Sequence, residues 1–123
     1  MKLAIIGSRS FEDYDLLSST IKNMFPKLSD ITCIVSGGAI GADSLAVVFA
    51  KEYNITPIVF KPNYTKYGRK LAPMMRNSTI VENSDFVVAF WDSKSPGTLD
   101  AITKAKKLKK RVVVIHYTLE NTF

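Results

Sequence analysis

The chain has 123 residues, of which 46% are hydrophobic and 23% are charged, and its net charge is +6. This size and balance are those of one globular domain, so we treat residues 1–123 as a single unit and exclude a second domain. No run of 18 apolar residues occurs, and the opening MKLAIIG is shorter than the hydrophobic segment of a signal peptide, so we expect no membrane span and a cytoplasmic protein.

Short apolar runs alternate with helical stretches along the chain. The runs are rich in Val, Ile and aromatic residues without polar alternation, as in strands covered on both faces: KLAIIG (2–7), TCIVSG (32–37), ITPIVF (55–60), DFVVAFW (85–91) and RVVVIHY (111–117). Helical periodicity occupies about 12–25, 42–53, 72–83 and 97–109. Because this order requires right-handed crossovers, the sequence predicts an α/β fold, a Rossmann-like three-layer sandwich with a five-stranded parallel sheet.

Polar turns follow three of the predicted strands. GSRSF (7–11) follows the first, SGGAIGAD (36–43) the second and WDSKSPGTLD (91–100) the fourth. Each leads into a helix, whose free N–H groups and positive dipole end attract anions, and glycine lets an anion approach the backbone. Ligands of such folds bind at the carboxyl ends of the strands, so we expect one phosphate site here. For SGGAIGAD alone, tight packing of a strand against its helix is the alternative.

The glycine turn differs from two common nucleotide motifs. The dinucleotide fingerprint Gly-x-Gly-x-x-Gly would begin on Ser36, and Lys61-Pro62 replaces the acidic residue expected about 20 residues later. The Walker pattern needs a lysine after Gly41, and the chain has none there. These departures disfavour nicotinamide and P-loop binding, and we predict no cofactor.

Individual side chains near the turns have two interpretations each. Asp43 lies in the first turn of the second helix, where an acid caps the helix or binds ribose hydroxyls and orients water. Arg9 contacts phosphate or ribose, or forms a surface salt bridge. His116 has no neighbouring Cys, Asp or Glu, so no metal site is predicted. Cys33 lies in an apolar run, which indicates a buried small hydrophobe.

Several separated motifs occur together in one order: GSRSF, SGGAIGAD, YGRKLAPMMRN (67–77), SDFVVAF and SPGTLDAI. They resemble the small YspA-type domains of the SLOG superfamily, relatives of the LOG phosphoribohydrolases and of DprA, over roughly residues 3–115. The resemblance implies a Rossmann-like fold, a nucleotide or nucleotide-derived ligand at the glycine turns, and a homodimer or larger oligomer.

The resemblance also assigns residues before the fourth strand. The LOG enzymes have a Met-x-x-Arg-Lys segment there, and counting back from Asp85 places Arg76 on its arginine. Asn77 stands where LOG enzymes have lysine, which is similar to the YspA-type pattern. Both side chains are therefore expected to bind the ligand.

The turn after the fourth strand departs from the LOG motif Pro-Gly-Gly-x-Gly-Thr-x-x-Glu. SPGTLDAI keeps Gly97 and Thr98, but Ala101 takes the place of the glutamate and Asp100 lies one residue early. One residue along a helix rotates a side chain by about 100°. Asp100 is then either a displaced catalytic carboxylate or a first-turn acid paired with Lys104.

Two basic segments complete the chain. PNYTKYGRKLAP (62–73) is a long polar connection suited to closing over an anion, meeting another subunit or remaining a surface loop. Six basic residues lie within 104–111, and the other basic and acidic residues are equal in number. The lysines form a solvated helix face, or else a polyanion-binding surface, and the apolar face opposite them is Ala101, Ile102, Ala105 and Leu108.

Three functions are compatible with these observations. The first is a module that senses or sequesters a phosphorylated nucleoside or an ADP-ribose-like molecule. The second is a LOG-like phosphoribohydrolase that cleaves a nucleoside 5′-monophosphate, with Asp43 or Asp100 as the catalytic carboxylate. The third is DprA-like binding of single-stranded DNA, and the confinement of excess charge to one helix weighs against it. The predicted ligand-binding residues are Gly7, Ser8, Arg9, Ser36, Gly37, Gly38, Gly41, Asp43, Arg76, Asn77, Gly97 and Thr98.

Overall fold

Five short strands pair in parallel into one sheet. In the computed structural model, which describes residues 1–118, the strands are β1 (Lys2–Gly7), β2 (Cys33–Ser36), β3 (Thr56–Val59), β4 (Phe86–Trp91) and β5 (Arg111–His116). Their spatial order is β3-β2-β1-β4-β5, and every pair is parallel. The predicted five-stranded Rossmann-like sheet is confirmed.

Helices cover both faces of this sheet and explain the absence of polar alternation in the strands. They are α1 (Tyr14–Met24), α2 (Ala42–Glu52), α3 (Tyr64–Glu82) and α4 (Pro96–Lys107). Leu3 and Ile5 of β1 belong to a core shared with α1 and α2, whereas Ala4 and Ile6 belong to a second core shared with α3 and α4. Successive strand residues are therefore apolar because each meets a different helical layer.

The central position of β1 sets where the turns meet. Gly7, the last residue of β1, pairs with Phe90 of β4, and Ala4 of β1 pairs with Val35 near the end of β2. The carboxyl ends of β1, β2 and β4 therefore lie side by side at one edge of the sheet.

The third helix begins earlier than the sequence indicated. The segment 62–73 was expected to be a connection, yet α3 starts at Tyr64, where the Asn63 side chain caps it by accepting a hydrogen bond from the Lys66 amide at 3.0 Å. Gly68, with φ 77° and ψ 178°, interrupts the helix. Gly68 and Pro73 are both typical of loops, which is why the sequence indicated a connection here. In the structure a short helical turn before Gly68 is joined across a kink to the longer helix that contains Pro73.

Two smaller expectations concern the second core and the last helix. Cys33 is buried, as predicted. Leu108 was placed on the apolar face of α4, but it lies just beyond the helix end as its C-cap and is half exposed. Among the helices of residues 1–118, none is long and apolar enough to cross a membrane.

Candidate functional site

A cleft of about 890 Å³ opens at the edge where β1, β2 and β4 end. The turns after these three strands and the middle of α3 line it together. The predicted residues in its lining are Gly7, Ser8, Arg9, Gly37, Gly38, Asp43, Arg76, Asn77, Gly97 and Thr98. Ser36, Gly41 and Asp100 lie outside the lining. The structure thus brings together side chains from four separate parts of the sequence.

The glycines of the turn after β2 have different roles. A Cβ on Gly37 would lie 2.6 Å from Nη1 of Arg76 and 2.8 Å from Oδ2 of Asp43, so only glycine leaves room for both charged groups. Gly41 has a φ of +86°, and a Cβ there would lie 2.5 Å from the Ser8 carbonyl oxygen. Gly37 is therefore needed by the cleft, whereas Gly41 packs α2 against the turn after β1.

Asp43 is the most deeply buried charged side chain of the cleft. Only 5% of it is exposed, Oδ2 accepts a hydrogen bond from the Ala39 amide at 3.2 Å, and Oδ1 has no partner among residues 1–118. Burial raises the pKa of Asp43 from 3.8 to about 6, against the opposing effects of the Ala39 amide, the charge of Arg76 and the amides of Gly37 and Gly7. The carboxyl group therefore exchanges its proton close to neutral pH, and its Oδ1 makes no hydrogen bond of standard geometry within residues 1–118.

Arg76 and Asn77 form a linked pair across the cleft. Nη1 of Arg76 donates to the Gly37 carbonyl, and its Nε donates to Oδ1 of Asn77 at 3.1 Å. Asn77 in turn donates from Nδ2 to the Gly97 carbonyl, at 3.1 Å. These contacts hold the guanidinium between the β2 turn and the start of α4, so its position is fixed before any ligand arrives.

Asp100 takes part in this network from outside the cleft. Its Oδ2 accepts from Nδ2 of Asn77 at 3.1 Å and forms an ion pair with Lys104 at 3.0 Å. The sequence offered a first-turn acid paired with Lys104 as the alternative to a catalytic role; the ion pair is observed, but the first-turn position is wrong, because α4 begins at Pro96 and has no acid in its first turn. In this geometry Asp100 positions Asn77.

The start of α4 presents backbone amides to the cleft. Ser95, the N-cap residue, makes no side-chain cap and donates its hydroxyl to Asp92 at 3.0 Å. The first amides of a helix have no partner within it, and here Gly97 and Thr98 both line the cleft. A Cβ on Gly97 would meet nothing within 4 Å. The amides at this end are open to an anion.

Two cations at the cleft have no counter-ion in the described part of the chain. Arg9 is exposed and, like Lys61 on the opposite side, forms no ion pair with any of residues 1–118. Lys61 was noted in the sequence only as a departure from the dinucleotide pattern, although its place directly after β3 was a signal for the site. Tyr64 and Ile40 also line the cleft, but an exposed tyrosine and isoleucine carry no recognisable motif. Within residues 1–118, no group of three or more His, Cys, Asp or Glu side chains is arranged to hold a metal ion.

Comparison with protein families and curated sequences gives two matches. The profile of the YAcAr family, described as the YspA, cpYpsA-related SLOG family, matches residues 1–67. The Gene 61 protein of Mycobacterium phage D29 is 28% identical to this chain over 112 residues, which are 86% of this chain and 89% of the phage protein.

Two solved structures share the fold. DNA processing protein A from Streptococcus pneumoniae has a TM-score of 0.76 and 19% identity, covering 98% of this chain and 52% of that protein. DNA processing protein A from Helicobacter pylori, described by its single-stranded DNA binding mode, has a TM-score of 0.73 and 23% identity, covering 97% of this chain and 66% of that one. This chain spans between half and two thirds of these two proteins, and the likeness is one of fold.

Proposed function

The chain belongs to the YspA, cpYpsA-related SLOG family, and on that premise we propose that it senses or sequesters a phosphorylated nucleoside or an ADP-ribose-like molecule in the cleft. Family membership supports ligand binding in general terms. The chemical identity of the ligand rests on the side chains of the cleft.

The observation that carries the proposal is the convergence of three glycine- and hydroxyl-containing turns on one cleft. Each turn is followed by the start of a helix, and a helix start binds phosphate with backbone amides and the helix dipole. One such start is common in any α/β protein. Here the start of α4 shares one cavity with the turns after β1 and β2 and with two cations that form no ion pair within residues 1–118, which supports a ligand that is both anionic and larger than phosphate.

The residues divide into an anion end and a sugar end. In this proposal the amides of Gly97 and Thr98 bind the phosphate, and Arg9 and Arg76 neutralise it. Asp43 offers Oδ1, which has no partner in the described part of the chain, to the hydroxyl groups of ribose. A buried acceptor of this kind gains about 1.5–3 kcal/mol when a donor reaches it.

The test is a thermal-unfolding screen against the ribonucleoside monophosphates, ADP-ribose, cyclic ADP-ribose species and NAD. A ligand at 100 times its dissociation constant stabilises the fold by about 2.7 kcal/mol. We expect such a shift with at least one nucleotide and none with the matching nucleoside, because the nucleoside lacks the phosphate. Equal shifts with both, or none with any nucleotide, would refute phosphate recognition.

Hydrolysis is the second candidate, and Asp43 favours it. A carboxyl group with its pKa raised to about 6 is suited to proton transfer near neutral pH. Asp43 is therefore a better candidate than Asp100, which is held by Asn77 and Lys104 outside the cleft. Chromatography of each bound nucleotide after incubation distinguishes the two functions, since release of the free base requires turnover.

Single-stranded DNA is the third candidate, supported by the binding described for the Helicobacter pylori protein of the same fold. The local excess of positive charge disfavours nucleic acid as a ligand. The fold shared with the Helicobacter pylori protein nevertheless supports single-stranded DNA as an alternative. Fluorescence anisotropy with labelled oligonucleotides over a series of salt concentrations tests it. Affinity that falls steeply with salt would support DNA binding.

We also propose a homodimer or larger assembly. Three large apolar side chains on α3, Leu71, Met74 and Met75, are between 41% and 54% exposed, and exposed apolar clusters often lie at interfaces. Analytical ultracentrifugation should then give at least twice the monomer mass of 13.7 kDa. A monomer at micromolar concentration would refute it.

A further inference from the structure

A second cavity lies next to the cleft, lined by residues that follow β3 and by residues of α3. Its volume is about 170 Å³. Among residues 1–118, only Lys61 and Arg76 line both this cavity and the cleft, and both are cations. The lining that the two spaces share is therefore positively charged.

Neither cation is fully occupied by the protein. Lys61 is exposed and forms no ion pair among residues 1–118. Arg76 uses Nε and Nη1, whereas its Nη2 has no hydrogen-bond partner in the described chain. No carboxylate lines the small cavity, and the two in the cleft are Asp43 and Asp92. Asp92 accepts hydrogen bonds from the backbone and side chain of Ser95, on the α4 side.

The position of Lys61 in the fold indicates what its charge can bind. In dinucleotide-binding βαβ units, an acidic residue at the end of the second strand, about 20 residues after the glycine turn, binds the ribose hydroxyls, and a cation nearby instead accommodates a phosphate on the ribose. Here β2, the glycine turn, α2 and β3 form such a unit, and Lys61 follows β3. A Cβ built on Gly38 of the glycine turn would lie 3.4 Å from Cγ of Lys61, so this stem runs beside the turn.

We propose that Lys61 forms a second anion subsite next to Arg76, which lines both spaces and is shared with the first phosphate, so that the preferred ligand is a nucleotide with two phosphoryl groups. This inference rests on the proposed function, in which the first phosphoryl group binds at the start of α4. The second group is either the distal phosphate of a diphosphate linkage or a phosphate on the ribose. Both present anionic phosphoryl oxygens to Lys61.

The test compares nucleotides that differ only in the second phosphate. Calorimetric titration in magnesium-free buffer uses the four ribonucleoside 5′-monophosphates, their 5′-diphosphates, adenosine 2′,5′- and 3′,5′-bisphosphate, and ADP-ribose. We expect at least one ligand with two phosphoryl groups to bind about tenfold tighter than its monophosphate, the gain from one charge-assisted contact. The ligand that gains most identifies where the second group is carried.

Two variants of equal charge separate the subsite from general attraction. Lys61→Met keeps most of the stem beside Gly38 and removes the ammonium group, so the tenfold preference should fall to less than twofold. Lys51→Met makes the same charge change on exposed α2, away from the cleft, and should keep the preference. Ligand-free thermal unfolding confirms that both variants fold.

Three outcomes are decisive. Loss of the preference in Lys61→Met alone supports the subsite. Tight binding of a monophosphate with no preference, or a preference that Lys61→Met retains, overturns the subsite and leaves the proposed function standing. Failure of every nucleotide to bind overturns both.

Discussion

Replacing Asp43 by asparagine tests the physical state of the cleft without altering its shape. In the folded protein the pKa of Asp43 is about 6, whereas that of an unperturbed aspartate is 3.8. Between these values the folded state binds more protons than the unfolded chain, so the free energy of unfolding falls as pH rises, by about 1.4 kcal/mol per pH unit. The cost reaches about 3 kcal/mol above pH 6, and Asp43→Asn removes it because the amide carries no charge.

Urea unfolding at pH values from 4 to 8 measures the effect. Asp43→Asn should match the natural protein near pH 4 and exceed its stability by up to about 3 kcal/mol at pH 8, a midpoint shift of roughly 1–3 M urea. Because other groups titrate in both proteins, only the difference between the two curves is interpreted. A variant that is less stable at pH 8, or a difference that does not change with pH, would refute the account of Asp43.

The same variant should respond in the opposite direction to ligand. If Oδ1 of Asp43 accepts a ribose hydroxyl, the amide nitrogen that replaces it cannot, and nucleotide affinity should fall at least tenfold. A variant that gains stability and loses affinity identifies a group retained for binding. Unchanged affinity would leave Asp43 with a structural role alone.

Three further changes test the backbone and the arginine. Gly41→Ala should destabilise the fold by about 2–4 kcal/mol, because its φ of +86° and the Ser8 carbonyl 2.5 Å from the new Cβ leave no place for a methyl group; normal stability would contradict this. Gly97→Ala is the matched control, since its Cβ would meet nothing within 4 Å. The stability measured by thermal unfolding should rise by up to about 1 kcal/mol, because alanine favours a helix more than glycine does, and a loss of stability would contradict the geometry. Arg76→Met leaves the Gly37 carbonyl without its donor, so we expect a loss of about 1–3 kcal/mol in stability and at least tenfold in nucleotide affinity by calorimetry; an affinity that is unchanged would remove Arg76 from the anion site.

The sheet was predictable because burial on both faces leaves a strong mark on the sequence. Apolar residues at every position of LAII and FVVAF can only be covered by helices on two sides, and the structure places Leu3 and Ala4 in different cores. The start of α3 was not predictable in the same way. Gly68 and Pro73 are local signals of a loop. The helix starts at the Asn63 cap, but Asn63 is one of several polar residues in this segment, and the sequence does not distinguish it from the others.

The cleft was predictable in outline for a topological reason. Parallel strands bring their following turns to one edge, so Gly7, Gly37 and Gly97 meet although they are far apart in sequence. The functions of single residues were less accessible. The sequence suggests a first-turn position for both Asp43 and Asp100, whereas the structure shows that Asp100 lies beyond the first turn of α4 and pairs with Lys104, and that Asp43 is buried with one oxygen unpartnered among residues 1–118.

The pairing of β1 with β4 has a consequence for synthesis on the ribosome. Leu3 pairs with Phe86, so the central strand lacks one neighbour until residue 86 has been translated. The nascent chain exposes SGGAIGAD well before Gly97 and Thr98 exist to complete the cleft. The cleft therefore cannot form before residue 98 is made, and contacts this distant in sequence make folding slower than that of a helical bundle of equal length.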